Sequence, residues 1–200
     1  IYMGDWSSDV CSSDLWRRQG LGLRIAVNLS ARLLQDAAFP QRLKALLAEN
    51  HALPGCLELE ITESAMMVDP ARALRAISEI SRLGVPITVD DYGTGFSSLG
   101  YLRDLPVHAL KLDKSFVTEM KAREDNRVIV TSTVLMAHAL RLEVIAEGVE
   151  DEWTVRYLAE AGCDHAQGFV YAPALSPAEC LAWVRRFNGA APKAQRAVND

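Results

Sequence analysis

Three observations predict an α/β fold, specifically a (β/α)8 barrel that is incomplete at its N-terminus. From Leu21 onward, short β-branched apolar runs alternate with longer amphipathic segments. The runs read as apolar on both faces, which is typical of parallel strands covered by helices. Each run also ends in a polar residue, as barrel strands do at the face that carries active sites. An open doubly wound sheet would also fit six strands, but it predicts a crevice at one switch point instead.

The individual elements follow from the apolar runs and from residues that begin and end helices. Strands are predicted at 23–28, 57–62, 86–90, 109–113, 142–147 and 165–169. Helices are predicted at 39–50, 70–83, 126–140, 152–161 and 177–187. Asp69-Pro70 and Ser176-Pro177 each read as an N-cap followed by Pro at the first helical position. Gly84 and Gly162 stand where glycines that end helices are expected.

The domain organisation follows from length and from the two ends of the chain. The 200 residues hold about six strand–helix units, whereas a closed barrel needs about 250 residues, so about two units are expected before Leu21. Residues 1–15 are predicted to be a non-native or disordered head, since they lack periodicity and resemble a translated sequencing adapter. A natural polar linker is the alternative. Residues 16–188 are assigned to the barrel domain, and residues 189–200 to a disordered tail.

Composition limits the classes of partner. The chain is 50% hydrophobic and carries a net charge of -5, which argues against binding a nucleic-acid polymer or a membrane surface. The longest apolar stretch, 128–146, is interrupted by His138, Arg141 and Glu143, so it predicts a helix running into a strand and not a membrane span. Four widely spaced cysteines and the lack of a secretory signal favour a reducing, cytoplasmic location.

Polar residues at the strand ends are the main functional signal. They are Asn28, Glu60, Asp90 with Asp91, Lys111, Glu147 and Gln167. Because all strand carboxyl ends of a parallel barrel open onto one face, these side chains are expected to converge on one cavity. A helix cap is the structural alternative for Asn28 or Asp91 alone, but it does not account for all six strand ends.

The chemistry of this set favours a site for divalent metal ions. Asn28, Glu60, Asp90 and Asp91 offer hard oxygen ligands without His or Cys, which suits Mg²⁺ or Mn²⁺ and argues against zinc. The adjacent aspartates could bridge two ions, the arrangement that clamps attacking and leaving oxygens in phosphodiester cleavage. Lys111 adds a point charge suited to a phosphate oxygen or a water molecule at the metal site.

The residues after the aspartate pair resemble the loop of a known enzyme family. Residues 90–99 read D-D-Y-G-T-G-F-S-S-L, in which two glycines allow a positive φ and close approach of the backbone to a ligand. This is similar to the D-D-F-G-T-G-Y-S-S loop of EAL-type cyclic-di-GMP phosphodiesterases. Further motifs agree in order and spacing: V-N-L-S at 27–30, E-I-T-E-S at 60–64, L-K-L-D-K-S-F-V at 110–117, A-E-G-V-E at 146–150 and Q-G-F at 167–169.

The resemblance implies a modified TIM (β/α)8 barrel whose first strand is antiparallel. It also implies hydrolysis of one phosphodiester of cyclic di-GMP to linear pGpG, with two Mg²⁺ or Mn²⁺ ions. Asn28, Glu60 and Asp90 would ligate one ion, while Asp90 and Asp91 would serve the second.

Roles for the other site residues also come from the resemblance. Lys111 would position the nucleophilic water, and Glu147 would hold a water ligand of the metal or act as general base. Gln167 would line the substrate site. Glu63 would support the loop that contains Gly93, Thr94 and Gly95.

Two departures from the family pattern affect the expected activity. The Glu-Ala-Leu segment that names the family is absent, so the 200-residue fragment is expected to be inactive and poorly soluble. Pro173 follows Ala172 where many members carry a basic residue before the proline. The parent protein is expected to carry GGDEF or sensory domains, and any membrane anchor, outside this fragment, and a homodimer is a further expectation.

Two alternative functions are considered. A non-catalytic cyclic-di-GMP receptor is one, although such modules usually have degenerate ligands, and no ligand among the residues present is degenerate. A glycoside hydrolase that uses Glu60 and Glu147 fits the fold. It would leave Asn28, the aspartate pair and Lys111 without a shared role.

Overall fold

The computed structural model describes residues 21–95 and 99–190, without the side chains of residues 99 and 188–190. The predicted head, most of the predicted tail and residues 96–98 of the glycine loop lie outside this range. Residues 24–172 form one compact unit, and Pro173 onward belongs to a second one. No helix in the described part has the length and hydropathy needed to span a bilayer.

The described part contains six strands in a single parallel sheet with the order β1-β2-β3-β4-β5-β6. The strands are β1 Ile25–Asn28, β2 Leu57–Thr62, β3 Ile87–Tyr92, β4 Ala109–Leu112, β5 Glu143–Ala146 and β6 His165–Ala166. A doubly wound sheet reverses its strand order at a switch point, whereas here every strand pairs with the next one along the chain. The sheet is the curled, incomplete barrel that the sequence predicts.

Nine α-helices lie in the described part of the chain. They are α1 Ala31–Leu34, α2 Phe39–Glu49, α3 Glu63–Met67, α4 Pro70–Arg82, α5 Leu99–Asp104, α6 Lys114–Thr118, α7 Glu124–Ala139, α8 Glu152–Glu160 and α9 Pro177–Ala190. A 3₁₀ turn, Pro54–Cys56, precedes β2. All six strands and all five long helices occur where they are predicted. The four short helices α1, α3, α5 and α6 were missed, because four to six residues are too few to show a helical period.

Helix ends account for most of the boundaries. The Asp69 carboxylate accepts a hydrogen bond from the amide of Arg72 at the start of α4, as the predicted N-cap should. Gly84 and Gly162 have φ of +82° and +83° and end α4 and α8. The strand predicted at 165–169 is shorter than expected, because the chain turns at Gly168, whose carbonyl accepts from the amide of Tyr171.

The two faces of the sheet differ, which corrects the expectation that both strand faces are apolar. One face supplies alternate residues to the hydrophobic core beneath the helices: Leu59, Ile61, Ile87, Val89, Leu110, Leu112, Val144 and Ala146. Glu58, Glu60, Thr88, Asp90 and Lys111 alternate with these residues and are also buried. The other face of β2, β3 and β4 is therefore largely polar, and it carries the candidate site at its carboxyl edge.

Candidate active site

A buried lysine joins the carboxyl ends of four strands. Lys111 Nζ lies 2.9 Å from Glu60 Oε1 of β2, 3.6 Å from Asp90 Oδ1 of β3, and 2.7 Å from Glu147 Oε1, which follows β5. The Lys111 side chain is only 5% exposed. Four of the predicted site residues thus lie in direct contact, on the face that the sequence predicts.

An irregularity in β3 brings Asp91 into the same site. Neighbouring residues of a regular strand point to opposite faces, so Asp90 and Asp91 would be separated. The pairing of β3 with β4 shifts between Val89, which pairs with Leu110, and Tyr92, which pairs with Leu112. Two aspartates therefore lie opposite Lys111 alone, and Asp91 adopts a left-handed φ of +53°. This is a β-bulge, which redirects a side chain next to a functional site.

The bulge produces a compact carboxylate cluster. Ligand atoms of Asp90, Asp91 and Glu147 all lie within 4.8 Å of one another. With Glu60, the site contains four carboxylates and the single ammonium group of Lys111, so the cluster has an excess of negative charge. Such an excess in a partly buried site favours binding of cations.

The acid–base equilibria of the cluster reflect this crowding. Burial raises the pKa of Glu60 above its ordinary value, Lys111 opposes the change, and Asp90 and Glu147 add to it. Burial is also the largest cause that raises the pKa of Asp91, and the negative charges of Asp90, Asp113 and Glu147 raise it further. Burial alone would lower the pKa of Lys111, but the surrounding carboxylates outweigh it and raise that pKa.

The residues present fit hard divalent cations. Every ligand atom of the cluster is a carboxylate oxygen, and neither His nor Cys contributes to it. Oxygen-only ligand sets of this kind suit Mg²⁺ or Mn²⁺ better than zinc.

The carboxylate of Glu63, which the sequence predicts to support the loop with Gly93, Thr94 and Gly95, is buried beneath that loop. Glu63 begins α3, is 2% exposed, and accepts a hydrogen bond from the amide of Gly93 at 3.3 Å. A Cβ on Gly95 would lie 2.8 Å from the Glu63 carboxylate, so only glycine fits there without a shift. The Thr94 hydroxyl donates to the carbonyl of Asp91 at 2.9 Å and closes the turn.

Asn28 and Gln167 lie at the same carboxyl edge but are exposed. Asn28 ends β1 and pairs in register with Glu60. Gln167 follows β6, and its amide donates to the carbonyl of Ala146 beside Glu147. Their backbone positions agree with the prediction, and their ligand and substrate roles remain predictions.

Sequence reasoning missed two sets of polar residues near the site. Asp113 caps α6 through the amide of Ser115, and its charge acts on Asp91. Below the site, Glu58 accepts from the Thr88 hydroxyl and from Arg24 Nη1, 3.0 Å away. The alternation L-E-L-E in residues 57–60 was the available signal, because it places Glu58 and Glu60 on one face.

Comparison with known families identifies the domain. The EAL domain family model matches residues 8–174. The match begins within the predicted head 1–15, a segment outside the described residues, so the predicted domain boundaries remain a prediction.

Curated relatives carry related names. The chain is 38% identical over 179 residues to the signaling protein YkoW of Bacillus subtilis, covering 88% of this chain and 22% of that protein. It is 37% identical over 172 residues to the cyclic di-GMP phosphodiesterase PdeR of Escherichia coli, covering 86% of this chain and 26% of PdeR. The chain thus spans about a quarter of the length of these relatives.

Solved structures share the fold. The PaMucR phosphodiesterase in complex with c-di-GMP is 36% identical, with a TM-score of 0.82 over 86% of this chain and 70% of that one. The EAL domain of Mycobacterium smegmatis DcpA is 31% identical, with a TM-score of 0.83 over 90% of this chain and 81% of that one. Given the family match over most of its length and these similarities, the chain belongs to the EAL domain family.

Proposed function

We propose that this domain, within its full-length protein, hydrolyses one phosphodiester bond of cyclic di-GMP to give linear pGpG with two Mg²⁺ or Mn²⁺ ions. The observation that carries the proposal is the carboxylate cluster around Lys111, in which the bulge of β3 directs Asp90 and Asp91 into one site. PdeR is named a cyclic di-GMP phosphodiesterase, and PaMucR has been solved in complex with c-di-GMP. These names support the choice of substrate.

Each side chain of the cluster has a role in the proposed reaction. Asn28, Glu60, Asp90 and Asp91 would hold the ions, which supply charge neutralisation at the phosphate and activation of water. Lys111 Nζ would orient the attacking water and stabilise negative charge that develops on a phosphate oxygen.

Glu147 and Gln167 complete the proposed site. Glu147, whose side chain is 22% exposed, can accept the proton of the attacking water at a carboxylate oxygen. Gln167 would contact the dinucleotide. Glu63 would hold the loop with Gly93, Thr94 and Gly95 in place, since its buried carboxylate accepts from the amide of Gly93.

Partners and location extend the proposal to the whole protein. MucR of Pseudomonas aeruginosa, 36% identical over 187 residues, is named a bifunctional diguanylate cyclase/cyclic di-GMP phosphodiesterase. We propose by analogy that the full-length protein joins this domain to a GGDEF or sensory domain, that the EAL domain faces the cytoplasm, and that it forms a homodimer.

Asp90→Asn tests the two-ion assignment. The substitution removes charge from a ligand proposed to contact both ions, so kcat should fall by about 10²–10³-fold or more. The measurement is pGpG formation by the full-length protein with Mn²⁺, followed by chromatography. Asp104→Asn is the matched control, because Asp104 is exposed and pairs only with Arg103 in the described contacts.

The same experiment separates the enzyme from a receptor. Wild-type protein that binds cyclic di-GMP without releasing pGpG would favour the non-catalytic alternative. Unchanged turnover in Asp90→Asn would refute the two-ion assignment.

Replacing Mn²⁺ with Ca²⁺ should inhibit pGpG formation, because the longer and more flexible coordination of Ca²⁺ misplaces the oxygens of the phosphodiester.

A further inference from the structure

The segment that carries Glu147 is held by main-chain contacts from the turn that follows β6. The amide of Val149 donates to the carbonyl of Gln167 at 3.0 Å, and the carbonyl of Val149 accepts from the amide of Val170 at 3.1 Å. Val149 itself is fully buried. Both main-chain groups of Val149 are thus fixed by the turn that follows β6, two residues after Glu147.

Gly168 allows this turn to approach so closely. A Cβ on Gly168 would lie 2.6 Å from the carbonyl carbon of Val149 and closer still to its carbonyl oxygen and amide nitrogen. The atoms in the way belong to the backbone, so they cannot move aside as a flexible side chain could. Gly168 does not have a positive φ, so the close approach to the Val149 backbone is the feature of this position that requires glycine.

Gly148 holds the same segment from the side of β4. A Cβ on Gly148 would lie 2.8 Å from Lys114 Cβ and 3.2 Å from Thr118 Cγ2, both in α6. Gly148 also has a φ of +71°, which glycine adopts at no steric cost. Residues 147–149 therefore lie between α6, which follows β4, and the turn that follows β6.

We infer that Gly148 and Gly168 are positioning residues of the active site, which act through the backbone of residues 147–149 on the carboxylate of Glu147. The contact between Glu147 Oε1 and Lys111 Nζ, 2.7 Å, depends on the location of that backbone. An Ala side chain at either glycine must push the segment away from its neighbour. A misplacement of about 1 Å at a catalytic group can cost about 10² in rate. The inference rests on the proposed function.

The test is a double-mutant cycle between Gly168→Ala and Glu147→Gln in the full-length protein. We expect Gly168→Ala alone to lower kcat about 10²-fold at saturating cyclic di-GMP and Mn²⁺. In the Glu147→Gln background the same substitution should change kcat by less than about threefold, because its target is already gone. A residue that only stabilises the fold would give the same loss in both backgrounds.

Two controls identify the route of the effect. Gly162→Ala strains a glycine with φ of +83°, but its Cβ would lie 4.0 Å from the nearest side chains and would meet no backbone. It should lower the melting temperature and leave kcat unchanged. A second cycle with Gln167→Ala should be additive, because the proposed route runs through Val149 and not through Gln167.

A crystal structure of Gly168→Ala gives a readout that does not depend on turnover. We expect the distance between Glu147 Oε1 and Lys111 Nζ to lengthen by about 1 Å. An unchanged distance, additivity with Glu147→Gln, or coupling only with Gln167→Ala would overturn the inference. If Gly168→Ala does not fold, the same cycle and structure with Gly148→Ala decide the question. A wild-type protein without phosphodiesterase activity would instead contradict the proposed function.

Discussion

Lys111 shows how one residue can stabilise a group of like charges in a buried site. Its ammonium group contacts Glu60, Asp90 and Glu147 while its side chain is nearly excluded from water. Burying an ammonium charge is costly unless the charge is paired, and here three carboxylates pair with it. Lys111 is therefore a fixed positive charge between β2, β3 and β5, around which the carboxylates are arranged.

Glu58 stabilises the other end of the polar sheet face. Its carboxylate contacts Thr88 and Arg24, and His108 Nε2 lies 3.9 Å away. Burial alone would raise the pKa of Glu58, but the hydrogen bonds from Thr88 and Arg24 and the nearby charges outweigh it, so the pKa is lowered from its ordinary value of 4.5. A lowered pKa in the folded state means that the charged form of Glu58 stabilises the fold.

This predicts a pH-dependent loss of stability that Glu58→Gln removes. The contribution of Glu58 is fully present above 4.5 and is lost as the pH falls through the lowered folded pKa. At neutral pH we expect Glu58→Gln to reduce the free energy of unfolding by about 1–3 kcal/mol, because buried partners lose an ionised acceptor. The difference should shrink as the pH falls below 4.5 and through the lowered folded pKa.

Urea unfolding of both proteins at several pH values measures the difference. Glu119→Gln, at an exposed ion pair with Arg123, is the control and should leave the pH profile unchanged. If wild type and Glu58→Gln lose stability in parallel on acidification, Glu58 is not the group responsible.

At the scale of the elements, four helices end at a residue with a positive φ, and three of them share the same pair of hydrogen bonds. In α2, α7 and α8 the amide of the second residue after the C-cap donates to the carbonyl three residues before the C-cap. The amide of the first residue after the C-cap donates to the carbonyl two residues before the C-cap. The residue after the C-cap is left-handed in each of these helices and in α4: His51, Gly84, Arg141 and Gly162. Only two of these four are glycines, although this position favours glycine most strongly.

Arg141→Gly is therefore expected to stabilise the protein. Arg141 is exposed and has a φ of +62°, a conformation that costs a residue with Cβ about 1–2 kcal/mol. Glycine has more conformational freedom in the unfolded chain, which offsets about 0.4–1 kcal/mol of this relief. The free energy of unfolding should therefore rise by a net amount of about 0.5–1 kcal/mol. Chemical denaturation measures it.

The reverse substitution at the equivalent position of α8 provides the control. Gly162→Arg at the end of α8 should destabilise by a similar amount, since the φ and the hydrogen bonds match those at Arg141. A loss of stability in Arg141→Gly would mean that the arginine side chain makes a contact that outweighs the backbone strain.

At the scale of the whole molecule, the parallel sheet of residues 24–172 concentrates stability in its middle strands. All four residues of β4 and four of six in β3 are buried, and each of these strands pairs on both sides. In the described part of the chain, β1 and β6 each pair on one side only. The site residues Asp90 and Lys111 thus lie on strands that are largely buried and pair on both sides.

Hydrogen exchange should reproduce this order. We expect amides in β3 and β4 to exchange slowest, near the global unfolding rate, and amides in β1 and β6 to exchange faster through local opening. Exchange measured by mass spectrometry on peptides that cover each strand gives the comparison. Faster exchange in β3 than in β6 would show that this sheet does not open from its edges.

Much of the fold and the site was predictable because both depend on short-range patterns. Apolar runs and helix caps indicate where strands and helices lie, and parallel topology then brings all strand ends to one edge. Asp90 and Glu147 follow from that rule because each ends a predicted strand, and Glu60 and Lys111 lie two residues before such an end. The short helices α1, α3, α5 and α6 did not follow, because four to six residues are too few to show a helical period.

Thus the sequence by itself determined the strand order, the carboxyl edge that carries the site, and the ligand types available there. The tertiary structure decided how those groups meet. The pattern D-D does not tell whether neighbouring aspartates share a face, because a regular strand would separate them. Only the shifted pairing opposite Lys111, with Asp91 at a positive φ, directs both toward Glu147. Likewise, only contacts between distant segments show that Gly168 packs against the backbone of Val149, because close packing depends on three-dimensional neighbours that sequence spacing does not encode.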